Sequence, residues 1–582
     1  MKITISILIL LTVHVSTLGQ SKYNLDFDDF NPDYGELPNG WFKWGDFKNL
    51  SGEADSTGNI LGKVVSDPNG KFGFITYRIP ANYTGDSITL SGLLKYEDVK
   101  GQAGIFTRID GYSKNMLCYK NTYNLGLSGS SNWKRYSISL PLPTNAAQIY
   151  VAGTLSGEGM AWFDNFEVTI DGQNIRTLKE ITKERLETYS ATKLDSAIMK
   201  SSRTFDIKNE ISLTKGLDNL IQQLGDKRII AIGESTHGTS EFYKLRSAIT
   251  KRLIEEKAFK LIILENPYDD LEIMNQNLMT SPLDELITKH FFSIYQTEEI
   301  MSFLDWYKDN KSNYNIQFKG CDDSNWTFYD LVESAVPDNR DRETTELLKS
   351  LSSNYRRMNK ARFKKANQLS AEVYHNIESL EAHLGKTNQL SPSLKEILFN
   401  GKTSFINYVS ERIVRRDESM ALRISHLANN SHDKIIVWAH NAHISKKVID
   451  GQEIGLMGQL LHREFGDKYH SIALMTAGGS YSYMNEKFIN GDHNYDDELF
   501  SSELGQLEPQ TWETIIEYEQ PSYCINTNSL KNELGTDQLL GSTRLIGYGK
   551  ETKDDLYYLP IIQHFDTVIL FDKTEATSPL SQ

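Results

Sequence analysis

The hydrophobic pattern changes period near residue 173, and that change constrains the fold more than any other feature of the chain. Before it, apolar and polar residues alternate, as in Tyr136-Ser137-Ile138-Ser139-Leu140 and Phe166-Glu167-Val168-Thr169-Ile170, with Gly, Asn, Asp and Pro clusters between the runs. Alternation buries one face of each strand, so residues 22–172 are predicted to form an all-β sandwich. After it come short continuous apolar runs between helix-spaced segments: Ile229-Ile230-Ala231-Ile232, Leu261-Ile262-Ile263-Leu264, 316–321, Ile435-Ile436-Val437-Trp438, 471–474 and 567–571. Strands that are apolar on both faces suit a mainly parallel sheet covered by helices on both sides. The expected architecture is multidomain, with an α/β domain over 205–578 behind the sandwich, and 582 residues suffice for more than one core.

Between Asn174 and Met199 the chain is rich in Lys, Glu, Leu and Ala and has no Gly or Pro, which predicts a helical connector over 173–204. Residues 325–430 contain no strand-like run and are charged and helix-forming, so a helical lobe is expected there, inserted between two halves of the sheet. Its basic stretch, from Arg356 to Lys365, reads as a solvated helix face. At the N-terminus, Lys2 precedes the apolar run Ile7-Leu8-Ile9-Leu10-Leu11, and small residues Thr17 and Gly19 stand before Gln20. Residues 1–20 are therefore expected to be a signal peptide, which implies an exported protein, periplasmic or secreted, without a membrane span in its mature form.

A formal net charge of −15 disfavours a nucleic-acid footprint or a polybasic membrane surface, so no nucleic-acid partner is expected. Three well-separated cysteines, Cys118, Cys321 and Cys524, form neither a disulfide framework nor a zinc module.

In open parallel sheets ligands bind outside the carboxyl ends of the strands, and three of those ends here carry titratable residues. Gly233-Glu234-Ser235-Thr236-His237-Gly238 puts an acid and an imidazole on one tight loop. Glu265 ends an otherwise apolar strand and needs a cavity or a partner. Ala439-His440-Asn441-Ala442-His443 places two imidazoles three residues apart after another buried strand. In the following helix Phe242, Arg246, Ile249 and Leu253 share one stripe, which puts a charge on an inward face. Glu234, His237, Arg246, Glu265, His440 and His443 are thus the candidate catalytic residues. Ser235 lies outside a Gly-x-Ser-x-Gly elbow, which argues against a serine nucleophile. A His/Glu set of this kind also suits zinc or another divalent metal, and that alternative stays open beside a cofactor-free reading.

Two resemblances extend this reading. Gly157 to Asn165, with its Trp162-Phe163-Asp164 turn, resembles the closing strands of jelly-roll carbohydrate-binding modules, which makes the sandwich a jelly roll and a glycan a candidate partner, with Trp41 or Trp44 as stacking residues. The motifs around Glu234, Glu265 and His440, with Met457-Gly458-Gln459-Leu460-Leu461 and the closing strand from Phe565, resemble the erythromycin esterase family over about residues 210–575. The resemblance implies hydrolysis of a macrolide lactone, as in antibiotic resistance, or of a related small-molecule ester. Water is the attacking group, His237 the base, Glu234 and Glu265 the acids, His440 and His443 the later imidazoles and Arg246 the family's arginine. The export signal and the sandwich depart from that family's resistance enzymes and weaken macrolides as the natural substrate. Two alternatives remain: a metal-dependent hydrolase of an envelope glycoconjugate and a non-catalytic carbohydrate-binding envelope protein.

Overall fold

A computed structural model describes residues 22–580 apart from 113, 362–363, 410–413, 450–455, 490–491 and 509–510. The expected signal peptide lies outside the described residues. The chain divides into two compact units that change over at Glu180 and Ile181, with 110–118 and 141–146 counted in the second.

The N-terminal unit is the expected jelly-roll sandwich. One sheet has the strand order Trp41–Gly45, Phe72–Pro80, Ala146–Ser156, Gln102–Gly111, Met116–Asn121. The other has the order Leu50–Ala54, Ile60–Val65, Met160–Ile170, Ser87–Val99, Gly129–Pro141, with Gln173–Asn174 paired to Met160–Ile170. Trp41 is a core residue, 5% exposed and stacked on Phe27 at 4.0 Å, whereas Trp44 is 39% exposed. The Trp162-Phe163-Asp164 motif is not a turn. It lies within a strand whose register against Ser87–Val99 shifts between Asp164 and Glu167, and Asn165, at φ 48°, absorbs the extra residue of that bulge.

The connector is helical only over Ala191–Ser201. Before it, Arg185 bridges Leu540 and the Leu186 N–H donates to the Leu540 carbonyl, so pairing with a distant segment holds the chain extended despite its helix-forming composition.

The α/β domain is built on one sheet in the order Ser202–Phe205, Ser522–Asn526, Thr567–Thr574, Tyr469–Ile489, Ile229–Ile232, Lys434–Trp438, Phe259–Pro267, Gln317–Asp322. The last six are mutually parallel; the first two are antiparallel additions at one edge, and Asp492–Glu503 forms a hairpin with Tyr469–Ile489. The added edge strands escape a search for apolar runs because Ser202-Arg203-Thr204 and Ser522 are polar. The central strands are buried on both faces. Ile230, Ile232, Ile262, Leu264, Ile436 and Trp438 face one core, packed on helices Glu210–Leu224, Ser240–Lys257 and Glu298–Tyr314. Ile229, Ala231, Leu261, Ile263, Ile435 and Val437 face the other, packed on Ala191–Ser201, Arg416–Asn430 and Leu456–Phe465.

Helices Phe328–Ala335, Arg342–Lys360, Lys364–Lys386 and Pro392–Phe405 form a lobe with a core of its own. Arg356, Arg357, Lys360 and Lys365 are exposed on it. Arg416–Asn430, grouped with the lobe by its sequence, instead covers the sheet through Met420, Ile424 and Leu427. Among the described residues no helix is long and apolar enough to cross a membrane.

Ile436 is fully buried between Ile230 and Ile262 of the flanking strands. Ile436→Ala is expected to cost about 2–5 kcal/mol of stability, read as a lower denaturant midpoint at unchanged slope.

Candidate active site

The space order of the strands assembles the site. Lys434–Trp438 comes late in the chain but inserts between Ile229–Ile232 and Phe259–Pro267, so four neighbouring strands present Glu234, His440, Glu265 and Asp322 at or just beyond their carboxyl ends. Two glycines permit the close approach. A Cβ on Gly233 would stand 1.9 Å from Asn441 Oδ1, and Gly238, at φ +77°, has the Ser482 carbonyl 2.5 Å from where a Cβ would be. The Asn441 N–H donates to the Glu234 carbonyl at 2.8 Å, tying the two imidazole-bearing loops together.

His237 Nδ1 lies 2.8 Å from Glu234 Oε1. The carboxylate can only accept, so Nδ1 carries the proton and the lone pair is left on Nε2. Behind this pair, Arg246 is fully buried: its Nη1 is 3.1 Å from the same Glu234 oxygen, and Nε and Nη2 donate to the carbonyls of Gly233 and Ala439 at 3.1 and 2.6 Å. Helical geometry thus sends the inward charge onto a buried acid. Thr239 occupies the N-cap of that helix, but its hydroxyl pairs with Thr236.

Glu265, 1% exposed, accepts from the His440 N–H at 2.9 Å and pairs with His443 Nε2 at 3.3 Å and Arg416 Nη2 at 2.9 Å. Burial alone would raise its pKa, yet His443, Arg416 and His237 together hold it well below the carboxylate range. His443 Nδ1 is 2.7 Å from Asp417 Oδ1, so both its nitrogens face carboxylates. Burial disfavours its charge, but Asp417 and Glu265 raise its pKa to about 10, which makes it an imidazolium at neutral pH. His440 differs. Its Nδ1 accepts the Ala442 N–H at 3.3 Å, and burial, with the charges of His237 and His443, keeps its pKa well below the ordinary value against the pull of Glu265 and the Ser235 backbone. It stays neutral with its proton on Nε2.

The fold therefore brings all six predicted residues together, five of them around one strand-end cluster and Arg246 behind it. It adds Asp322, Arg416, Asp417 and Tyr548. Arg416 donates through Nε to Asp322 Oδ2 at 2.9 Å, and its side chain is 35% exposed. Tyr548 stacks on His237 at 4.4 Å with the ring planes 7° apart. Asp322 was accessible to the strand-end argument; Arg416, Asp417 and Tyr548 are carried by a helix start and a loop with no local signal. Glu234 Oε2, Ser235 Oγ, His440 Nε2, Tyr295 Oη and Tyr548 Oη are buried here without a hydrogen-bond partner within the chain, as is Arg246 Nη1 apart from its ion-pair contact with Glu234. A buried polar atom left without a partner costs roughly 1–3 kcal/mol. Among the described residues no three His, Cys, Asp or Glu side chains are grouped to hold a metal ion.

Comparison with known proteins identifies the family. The erythromycin esterase family model matches residues 254–574, more than half of the chain. The chain belongs to the erythromycin esterase family. The match includes Glu265, Asp322, Arg416, Asp417, His440 and His443 and begins after the Glu234–His237 loop. Erythromycin esterase type II of Escherichia coli is 25% identical over 297 residues, covering 44% of this chain and 70% of its own length. An uncharacterised HTH-type transcriptional regulator of Bacillus subtilis, YbfP, is 30% identical over 114 residues, of which the chain spans only 38% of the regulator's length. A solved succinoglycan biosynthesis protein shares the fold at 18% identity with a TM-score of 0.56, over 67% of this chain and 98% of that one. Membership of the family supports an esterase-like hydrolase.

The His443 pairing fixes a pH dependence. A folded pKa of about 10 above an unfolded value of about 6.5 contributes stability that is whole below pH 6.5 and is lost as pH rises toward 10. The melting temperature is expected to fall across that window, and Asp417→Asn to flatten the slope. An equal slope in the variant would show that the imidazolium is not the group titrating.

Proposed function

We propose that this is an exported hydrolase that opens a macrolide lactone or cleaves a related carboxylic ester with water made nucleophilic by His237. The observation that carries the reading is the Glu234 contact on His237 Nδ1, which leaves Nε2 as a base at the strand ends. His237 takes a proton from water as its oxygen attacks the ester carbonyl; Glu234 holds the tautomer and stabilises the imidazolium. His440 Nε2–H and Arg416 supply positive potential for the tetrahedral oxyanion. Glu265 positions both, and Arg246 positions Glu234. The proton on His237 then passes to the departing alkoxide, releasing acid and alcohol, or the opened hydroxy acid of a lactone. The guanidinium of Arg416 on Glu265 favours this arrangement over a metal ion at the same acid. Export enters the reading through Lys2 and the Ile7–Leu11 run.

Erythromycin and a panel of simple esters and lactones, followed by mass for the gain of one water, test the proposal. His237→Ala is expected to slow hydrolysis on the order of a hundredfold or more, and Glu234→Gln to slow it less. Chelation is expected to leave the rate unchanged. Total loss restored by zinc would replace this reading with the metallohydrolase.

A second reading adds a glycan at the sandwich. Trp44 lies within 6.3 Å of Phe74, Phe106 and Tyr150 in a chain of ring contacts across the five-stranded sheet, extended by Phe72 and by Tyr119, which is 51% exposed. Such a platform suits the apolar faces of sugar rings. Retention of the full chain in gels containing soluble polysaccharides is expected, and its loss in Trp44→Ala; no retention by any polysaccharide would remove the glycan.

A further inference from the structure

A continuous row of aromatic rings leaves the site at His237. Tyr548 stacks on that imidazole; Phe292 meets Tyr548 edge-on at 6.2 Å, Tyr495 meets it edge-on at 5.7 Å, and Trp326 meets Phe292 edge-on at 5.7 Å. The row passes from the buried base to Trp326, which is 65% exposed. Single exposed aromatics are ordinary, but one that ends an unbroken row of rings starting at a strand-end imidazole is not.

The loops that carry these rings are pinned by the same strand ends that build the site. Asn266, the residue after Glu265, accepts the Phe292 N–H on Oδ1 at 2.8 Å and donates to the His290 carbonyl at 2.9 Å. The loop after Asp322 is held at both ends: Asp322 Oδ1 accepts from the Ser324 N–H at 2.9 Å, and Asp269 Oδ2 accepts from the Thr327 N–H at 2.6 Å. On the third loop the Ile546 N–H donates to the Ser235 carbonyl at 2.8 Å, two residues before Tyr548. The rings are thus held in place before any ligand arrives, which lowers the entropic cost of binding.

We infer that Trp326, Phe292, Tyr548 and Tyr495 form a subsite for a six-membered ring that presents a broad apolar face, an arene or a pyranose, carried by the substrate beside its scissile ester. The inference rests on the hydrolase reading for the position of the ester and on ring geometry for the subsite. Both ring types offer an extended face of C–H or π surface to an indole, and neither needs a charged partner.

Three acetamides that differ only in the attached group provide the test, because an amide mimics the ester carbonyl. N-methylacetamide has no ring, N-(2-naphthyl)acetamide carries an arene, and N-acetylglucosamine carries a pyranose. Calorimetric titration of the full chain is expected to show binding of at least one ring-bearing probe, and the one that binds identifies the ring type. That affinity is expected to fall roughly fivefold or more in Trp326→Ala and in Phe292→Leu, which keeps apolar volume without the ring, and to survive in Tyr34→Ala. Binding unchanged in both Trp326→Ala and Phe292→Leu would overturn the subsite, as would failure of both ring-bearing probes to bind the unaltered chain. Hydrolysis separates the two ideas. Ring binding without His237-dependent turnover keeps the subsite and removes the hydrolase reading, and turnover without ring binding does the reverse.

Discussion

The carboxylate of Glu265 is the constraint on which the site depends. It stands near the carboxyl end of a strand buried on both faces, and an ionised acid in that position persists only where donors surround it. Those donors come from far along the chain: the His440 N–H 175 residues later, His443 beside it, and Arg416 151 residues later at the start of a helix. Satisfying one buried acid therefore fixes the loop after Lys434–Trp438, the entry to Arg416–Asn430 and, through Arg416, the end of Gln317–Asp322. Insertion of Lys434–Trp438 beside Phe259–Pro267 brings these donors within reach.

Three imidazoles stand within this one cluster, and each has a different set of partners on its two nitrogens. His443 has a carboxylate on both nitrogens and is held as a cation. His440 has a backbone N–H on Nδ1 and no carboxylate on either nitrogen, and burial keeps it neutral. His237 has a carboxylate on one nitrogen alone, which puts its proton on Nδ1 and leaves the lone pair on Nε2. Residue type alone would not distinguish them. The distinction comes from which loop each occupies and what the neighbouring strand end supplies.

Much of this was legible in the sequence, for identifiable reasons. Continuous apolar runs such as Ile435-Ile436-Val437-Trp438 announce doubly buried strands, and the rule that parallel strands end on one edge gathers Glu234, Glu265 and His440 without any knowledge of contacts. The stripe of Phe242, Arg246 and Ile249 announces a buried charge. Pairings that join distant segments left no such trace. The extended stretch before Ala191 is set by Leu540, the edge strand Ser202–Phe205 by Ser522–Asn526, and Tyr548 meets His237 through a loop whose only local mark is a tyrosine. The Trp162-Phe163-Asp164 motif was recognisable, but its bulge depends on register with Ser87–Val99, which no local pattern encodes.

Charge balance links the buried network to the proposed reaction. The carboxylates of Glu234, Glu265, Asp322 and Asp417 face three resident cations, Arg246, Arg416 and the imidazolium of His443. In the proposed reaction a further positive charge enters this network. Proton transfer from water to His237 supplies it, beside Glu234, while negative charge develops on the attacked carbonyl oxygen near His440 and Arg416. In a water-poor site a charge created beside one of opposite sign is stabilised far more than one created against neutral surroundings. Glu234 thus stands beside the charge that the proposed reaction creates on His237, and the partly exposed edge of Arg416 is placed to meet the oxyanion of that reaction.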